Sequence, residues 1–281
     1  MRKKFFIYFV CIVLVSVASI VTLNLKQTSP TIKFFPINEN ATFLYANTDL
    51  KVKDRSLEWD SRSKSDQTYF LRQDVSLLYF NGKLKGIRSK WEEKTDFIHL
   101  KEQFPINDQG IWETITFHHG EIHDDVQNNI TSIQTMSNSK LYTIQMEEGN
   151  ISTFQNPQTM EEQIMQQLID ERKTQYLSSR SDKWIEHYQI QMDKYIVIPF
   201  VELSRFKNNA LPSFSQDQTN QIIGQLWEGL YKNYVIPILE TSDSNNNGAM
   251  PIILFAKDGS HMIVLFEWNG KKEQLIQRIS I

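Results

Sequence analysis

Residues 75–91, Val-Ser-Leu-Leu-Tyr-Phe-Asn-Gly-Lys-Leu-Lys-Gly-Ile-Arg-Ser-Lys-Trp, decide the fold class. Asn81-Gly82 supplies the two positive-φ positions of a type I′ turn, whose twist matches that of two antiparallel strands. Val75 to Phe80 and Lys83 to Trp91 therefore read as a β-hairpin. The same period continues downstream. Ile111, Ile115 and Phe117 share one face of a strand, and Thr114 and Thr116 the other. His119-Gly120 reads as a turn leading back through Glu121 to His123. Leu141 to Met146 and Ile151 to Phe154, joined by 147–150, form a further hairpin. The polar stretch 49–68 reads as loop.

Two segments change to helical spacing. Thr159 with Glu162 makes a capping box ahead of Ile164, Leu168, Ile169, Arg172 and Tyr176. Ser215 with Gln218 makes another, ahead of Ile222, Ile223, Leu226, Trp227, Leu230, Tyr231 and Tyr234. The second stripe is too broad for a free surface helix, so it should pack across a sheet and end at Pro237. Between the helices, Trp184, Tyr188, Ile190 and Met192 follow a period of two. Tyr195 to Leu203 is a β-rich run in which Pro199 indicates an edge strand or a bulge. The tail is a three-stranded meander: Pro251 to Ala256, His261 to Trp268 and Lys271 to Ile281. The apolar runs Ile252 to Phe255 and Met262 to Phe266 indicate strands buried on both faces. Strands in runs with two long helices give an α+β class, mostly antiparallel, with the helices packed on sheet. A boundary near Asn156-Pro157 divides a mostly-β part, 49–156, from an α+β part, 157–281. The two together also read as one continuous domain.

The N-terminus carries the strongest signal of location. Residues 5–25, Phe5 to Leu25, form one apolar run entered through Arg2-Lys3-Lys4. As a helix its 21 residues reach about 31 Å, which matches a bilayer core. The cations ahead of the run make residues 1–4 a cytoplasmic stub and place the bulk of the chain outside. Residues 26–48 then read as a tether. The alternative is a secretory signal peptide with Ser16-Val17-Ala18 as its cleavage site. Against it, Ile20, Val21, Leu23 and Leu25 keep the run apolar for the length of a full span. Cys11 has no small neighbour suited to lipid attachment.

Composition narrows the partners. Setting Arg2, Lys3 and Lys4 aside leaves 27 basic against 33 acidic residues, a mild acidity that argues against nucleic acid. Cys11 is the single cysteine of the chain, so the exported part holds together without disulfides. That fits a bacterial envelope better than a eukaryotic secreted domain. Asn40, Asn129 and Asn150 match the glycosylation sequon, which chance explains in so Asn- and Ser-rich a chain.

The densest polar constellation is residues 118–125, His-His-Gly-Glu-Ile-His-Asp-Asp. Its imidazoles and carboxylates make His118, His119, Glu121, His123 and Asp124 candidate ligands for a divalent metal. The spacing satisfies no known metal motif, and the bland account is a solvated hairpin tip. Asp243, Asn245, Asn247 and Gly248 match the first half of a calcium loop. Position 12 is Leu254 where a bidentate Glu is needed, so an Asx-rich turn is the expectation. The chain carries no nucleophile elbow, P-loop or dinucleotide fingerprint. The resulting expectation is a membrane-anchored extracytoplasmic binding or regulatory module of a bacterial cell envelope, without catalysis or cofactor, contacting an envelope protein partner. Two alternatives stand beside it: a metal-dependent envelope hydrolase using His118, Glu121 and His123, and a structural component of a surface or spore-envelope assembly.

Overall fold

The computed structural model describes residues 33–124, 129–145, 150–240, 248–268 and 270–280. These belong to one compact unit, Ile32–Ile281. The stub, the apolar run and residues 26–32 of the tether lie outside the described residues, as do Asp243, Asn245 and Asn247. Among the described residues no helix is long and apolar enough to cross a membrane.

The architecture is α+β with two antiparallel sheets. The strands are β1 (Phe43–Lys53), β2 (Ser56–Phe80), β3 (Lys83–Pro105), β4 (Gly110–Asp124), β5 (Asn129–Gln145), β6 (Ile151–Phe154), β7 (Tyr195–Pro199), β8 (Ile252–Ala256), β9 (His261–Trp268) and β10 (Lys271–Arg278). The helices are α1 (Met160–Tyr188), α2 (Gln216–Leu230) and α3 (Ile236–Glu240). The first sheet runs β1-β2-β4-β5-β6, with β3 paired to β2, and the second runs β10-β9-β8-β7.

The hairpin at Asn81-Gly82 forms as expected, with φ of 49° and 77° at the two turn residues. Its arms are far longer than the apolar pattern announces. β2 pairs with β1 over Ser56–Ser65 and with β4 over Leu71–Phe80, and its register with β3 shifts between Lys64 and Tyr69. The two halves of β2 then face one another: Trp59 Nε1 donates to Ser76 Oγ, and Ser63 Oγ donates to Asp74. The polar stretch 49–68 is thus strand, not loop, apart from the turn at Asp54-Arg55. Its buried face is Leu57, Trp59, Ser61, Ser63 and Ser65, and the serines hide the period from a reading based on hydrophobicity.

The tether is also shorter than expected, because its residues from Phe43 onward are β1. Just before it, Ser132 of β5 bonds the backbone of Phe35, Pro36 and Asn38, and Phe34 N–H donates to Glu228 on α2.

Both capping boxes are present. Thr159 Oγ1 accepts from Glu162 N–H at 3.1 Å, and Ser215 Oγ from Gln218 N–H at 3.2 Å. α1 continues through Trp184 to Tyr188, so the period-two reading of that stretch is overturned. Trp184 is held in the helix by a buried cluster with Leu254, Ile263 and Leu265 on the second sheet. Gln189 caps the helix in the left-handed conformation, with φ 52°. β7 ends at Pro199, and Phe200–Lys207 is 3₁₀ helix rather than strand. Pro237 does not stop the second helical segment. A π turn, Tyr231–Val235, precedes it, and Pro237 lies in α3, which continues the helix directly.

α2 lies between the two sheets. Ile222, Ile223, Leu226, Trp227 and Leu230 meet Val75, Leu77, Ile115 and Phe117 of the first sheet and Ile253, Phe255, Met262 and Val264 of the second. β8 and β9 therefore have core on both faces, as their continuous apolar runs indicate. Trp227 is the centre of this layer. Its ring stacks on Phe117 at 4.9 Å, and its Nε1 donates to Met136 Sδ at 3.3 Å. Replacing Trp227 with Ala leaves a cavity between two sheets that cannot both close on it. We expect a loss of about 3–5 kcal/mol, read as a lower urea midpoint with an unchanged slope.

Candidate functional site

The inward face of the first sheet is polar at one end. Arg72, Asp74 and Ser76 alternate along β2, and Thr114, Thr116 and His118 along β4. Arg72, Asp74 and His118 are fully buried. Ser61, Ser63 and Ser65 descend from the first half of β2, Thr48 from β1 and Ser137 from β5. The hydroxyls close a continuous network. His118 Nδ1 is 2.7 Å from Asp74 Oδ2, and its Nε2 is 2.8 Å from Ser137 Oγ. Ser137 Oγ is 2.6 Å from Thr48 Oγ1, which donates to Thr116 Oγ1 at 2.6 Å, and Thr116 in turn lies 2.6 Å from Ser76 Oγ.

Arg72 is the charged member of this core. Its Nη1 donates to Ser65 Oγ and the Asp96 carbonyl, both at 2.8 Å, its Nη2 to Ser63 Oγ at 2.6 Å, and its Nε to the His119 carbonyl. Asp74 lies 3.7 Å away as counter-ion. Ser63 bridges the pair, accepting from Arg72 and donating to Asp74. Gly120 makes room for this: a Cβ there would sit 3.0 Å from Arg72 Cδ and 2.9 Å from the Tyr69 ring. The glycine expected to turn the chain is instead a point of close approach in a straight strand.

Ser137, His118 and Asp74 stand in the order of nucleophile, base and orienting acid. The surroundings give them another task. Ser137 Oγ is held by Thr48, and His118 and Asp74 are enclosed, so these groups are engaged with one another inside the fold, with Asp74 Oδ1 left to the ion pair with Arg72.

β4 runs straight through residues 118–124, so alternation separates the five residues read as metal ligands. His118 faces the polar core. His119 faces the opposite side, 6.2 Å from the Phe117 ring, with both ring nitrogens buried and without a hydrogen-bond partner among the described residues. Glu121 and His123 continue the His119 face toward the strand end, where Glu121 Oε2 is 3.3 Å from His123 Nε2 and the His123 ring stacks on Phe70 at 3.7 Å. Asp124 shares the His118 face, but six residues of strand separate the two by about 20 Å. Among the described residues no three His, Cys, Asp or Glu side chains are grouped to hold a metal ion. The first two histidines are interior, not part of a solvated hairpin tip.

A second polar feature opens to solvent. α1 crosses β4 and β5 and leaves a cleft of about 470 Å³ lined by Glu113, Tyr142, Asp170, Lys173 and Glu202, with Asn138 and Lys140 at its rim. Glu113 Oε1 accepts from Lys173 Nζ at 2.9 Å, and Tyr142 OH donates to Asp170 at 3.0 Å. Burial pushes the Glu113 carboxyl above the usual carboxylate range, and Lys173 partly offsets this. None of these residues stands out in the sequence. Glu113 and Lys173 are ordinary charges 60 positions apart, and only the docking of α1 joins them.

No protein-family model matches the chain, and no curated protein matches it. Among solved structures it is similar to the CARDB domain of a Pyrococcus furiosus protein, determined in complex with di-metal ions. Identity is 11%, the match covers 40% of this chain and 96% of that one, and the TM-score is 0.21. It is also similar to an Arabidopsis thaliana protein solved in solution, at 11% identity, 44% and 91% coverage and a TM-score of 0.24.

Two outcomes test this description of the interior. Burial lowers the His119 pKa from 6.5 to about 4, with Arg72 adding to the effect. The folded state therefore prefers neutral His119, while the unfolded chain takes up a proton below its own pKa. Stability should be full above pH 6.5 and fall, by about 3 kcal/mol, as the pH drops to 4. Urea unfolding at intervals across that window should show the slope, and His119→Leu should flatten it. Asp74→Ala leaves the Arg72 guanidinium buried without its counter-ion, and should cost about 3–5 kcal/mol at neutral pH by the same measurement.

Proposed function

We propose that this chain is a membrane-anchored extracytoplasmic module that binds a ligand or partner in a bacterial cell envelope and performs no catalysis. The observation that carries the reading is the commitment of its catalytic-type side chains to the fold. Asp74, His118 and Ser137 bond one another, Thr48 and Ser63 within the first sheet, with Asp74 and His118 fully buried. The cleft beside α1 supports binding, since its volume lies in the range of small-molecule sites. The anchor rests on the apolar run Phe5 to Leu25 and the cations before it.

The test is topology together with processing. The full chain, tagged at its C-terminus and expressed in a bacterial host, should stay in the membrane pellet through alkaline extraction at its full 33.1 kDa mass. External protease should remove the tag from intact spheroplasts. Release of a shortened chain into the medium would favour the signal-peptide alternative. A tag protected in intact cells and cut only after lysis would overturn the extracytoplasmic placement.

A further inference from the structure

The cleft beside α1 holds a carboxylate that the fold leaves half satisfied. The Glu113 side chain is only 8% exposed. One of its oxygens is taken by Lys173, while Oε2 is buried and without a hydrogen-bond partner among the described residues. A ligand donor that reaches this carboxylate would complete its hydrogen bonding, and a cationic donor would do so most strongly. The rest of the lining has the same preference. Three carboxylates, Glu113, Asp170 and Glu202, stand against two ammonium groups, Lys140 and Lys173, so the cleft favours a cation over an anion. Asn138, Ser139 and Thr174 add an amide and two hydroxyls, which suit hydroxyl groups on the ligand. The volume of about 470 Å³ admits a molecule of monosaccharide size.

We propose that this cleft binds a small hydroxyl-bearing primary amine, of the amino-sugar class, with its ammonium group on the Glu113 carboxylate. The proposal rests on the reading of the chain as a binding module and names its ligand class. Lys173 acts as a positioning residue, since its bond to Oε1 fixes the Glu113 carboxylate at the cleft wall. Tyr142, tied to Asp170 and stacked on Phe154 at 5.0 Å, forms a rigid wall.

Isothermal titration of the full chain in detergent micelles tests this, with glucosamine and N-acetylglucosamine as probes at neutral pH. The two share a ring and hydroxyls, and the second lacks the charged amine. Glucosamine should bind at least about tenfold tighter, the difference expected of one charged hydrogen bond. Glu113→Gln should weaken glucosamine binding by a similar factor. Asn138→Trp, at the exposed rim, should block the cleft without touching the core. If a thermal melt shows that Glu113→Gln has unfolded, Asn138→Trp decides alone. Absence of glucosamine binding, equal binding of the two sugars, or unaltered affinity in the folded variants would overturn the proposal. Topology is read separately: an extracytoplasmic, membrane-held chain that ignores glucosamine loses the ligand class and keeps its placement.

Discussion

A guanidinium and a carboxylate enclosed between two β layers are costly unless the opposite charge and hydrogen bonds compensate their burial. Arg72 and Asp74 impose that requirement here, and much of the first sheet answers it. β2 must bend back so that Ser63 and Ser65 reach Arg72. Position 120 must lack a side chain so that β4 can lie against the Arg72 stem. β4 must run straight so that His118 arrives opposite Asp74 while the His119 carbonyl accepts from Arg72. Apolar residues alone would allow several alignments of such long strands. A polar network with fixed donors and acceptors penalises a slipped register, because a shift of one residue points each side chain to the other layer.

The remainder is organised by apolar burial of an ordinary kind. α2 has core on two sides, and the small second sheet has core on both faces, since α1 closes it through Trp184. α1 reaches both sheets because it is 29 residues long. Its first half anchors through Ile169 near β5 and β6, its last turns through Trp184 near β8 and β9. Between Ile169 and the apolar contacts of Tyr176 and Leu177, it meets the sheet through the polar side chains of Asp170 and Lys173, and the cleft lies there. The polar core and the cleft thus have different causes. One is a network of side chains bonded to one another, the other a gap where polar side chains of a helix meet the sheet.

The proposed role separates along the same line. The enclosed residues hold the strands in place, and the open ones are available to a ligand. A histidine-rich stretch attracts a metal reading when it is met as a string. In a straight strand its members face alternately to two sides, His118 into the polar core and His119 to the opposite face, while Glu121, His123 and Asp124 lie at the strand end.

Local signals in the chain were enough for the α+β class, the Asn81-Gly82 hairpin, both capping boxes, the edge position of Pro199 and the doubly buried strands of the meander. Each depends on neighbours within a few residues: turn dihedrals, capping hydroxyls and hydrophobic period. Tertiary structure alone decided that Ser61, Ser63 and Ser65 are interior, that His119-Gly120 is strand, that Trp184 is helical, and that Glu113 meets Lys173. Polar residues carry no mark of burial in the sequence, because the partners that make their burial affordable come from strands and helices far along the chain.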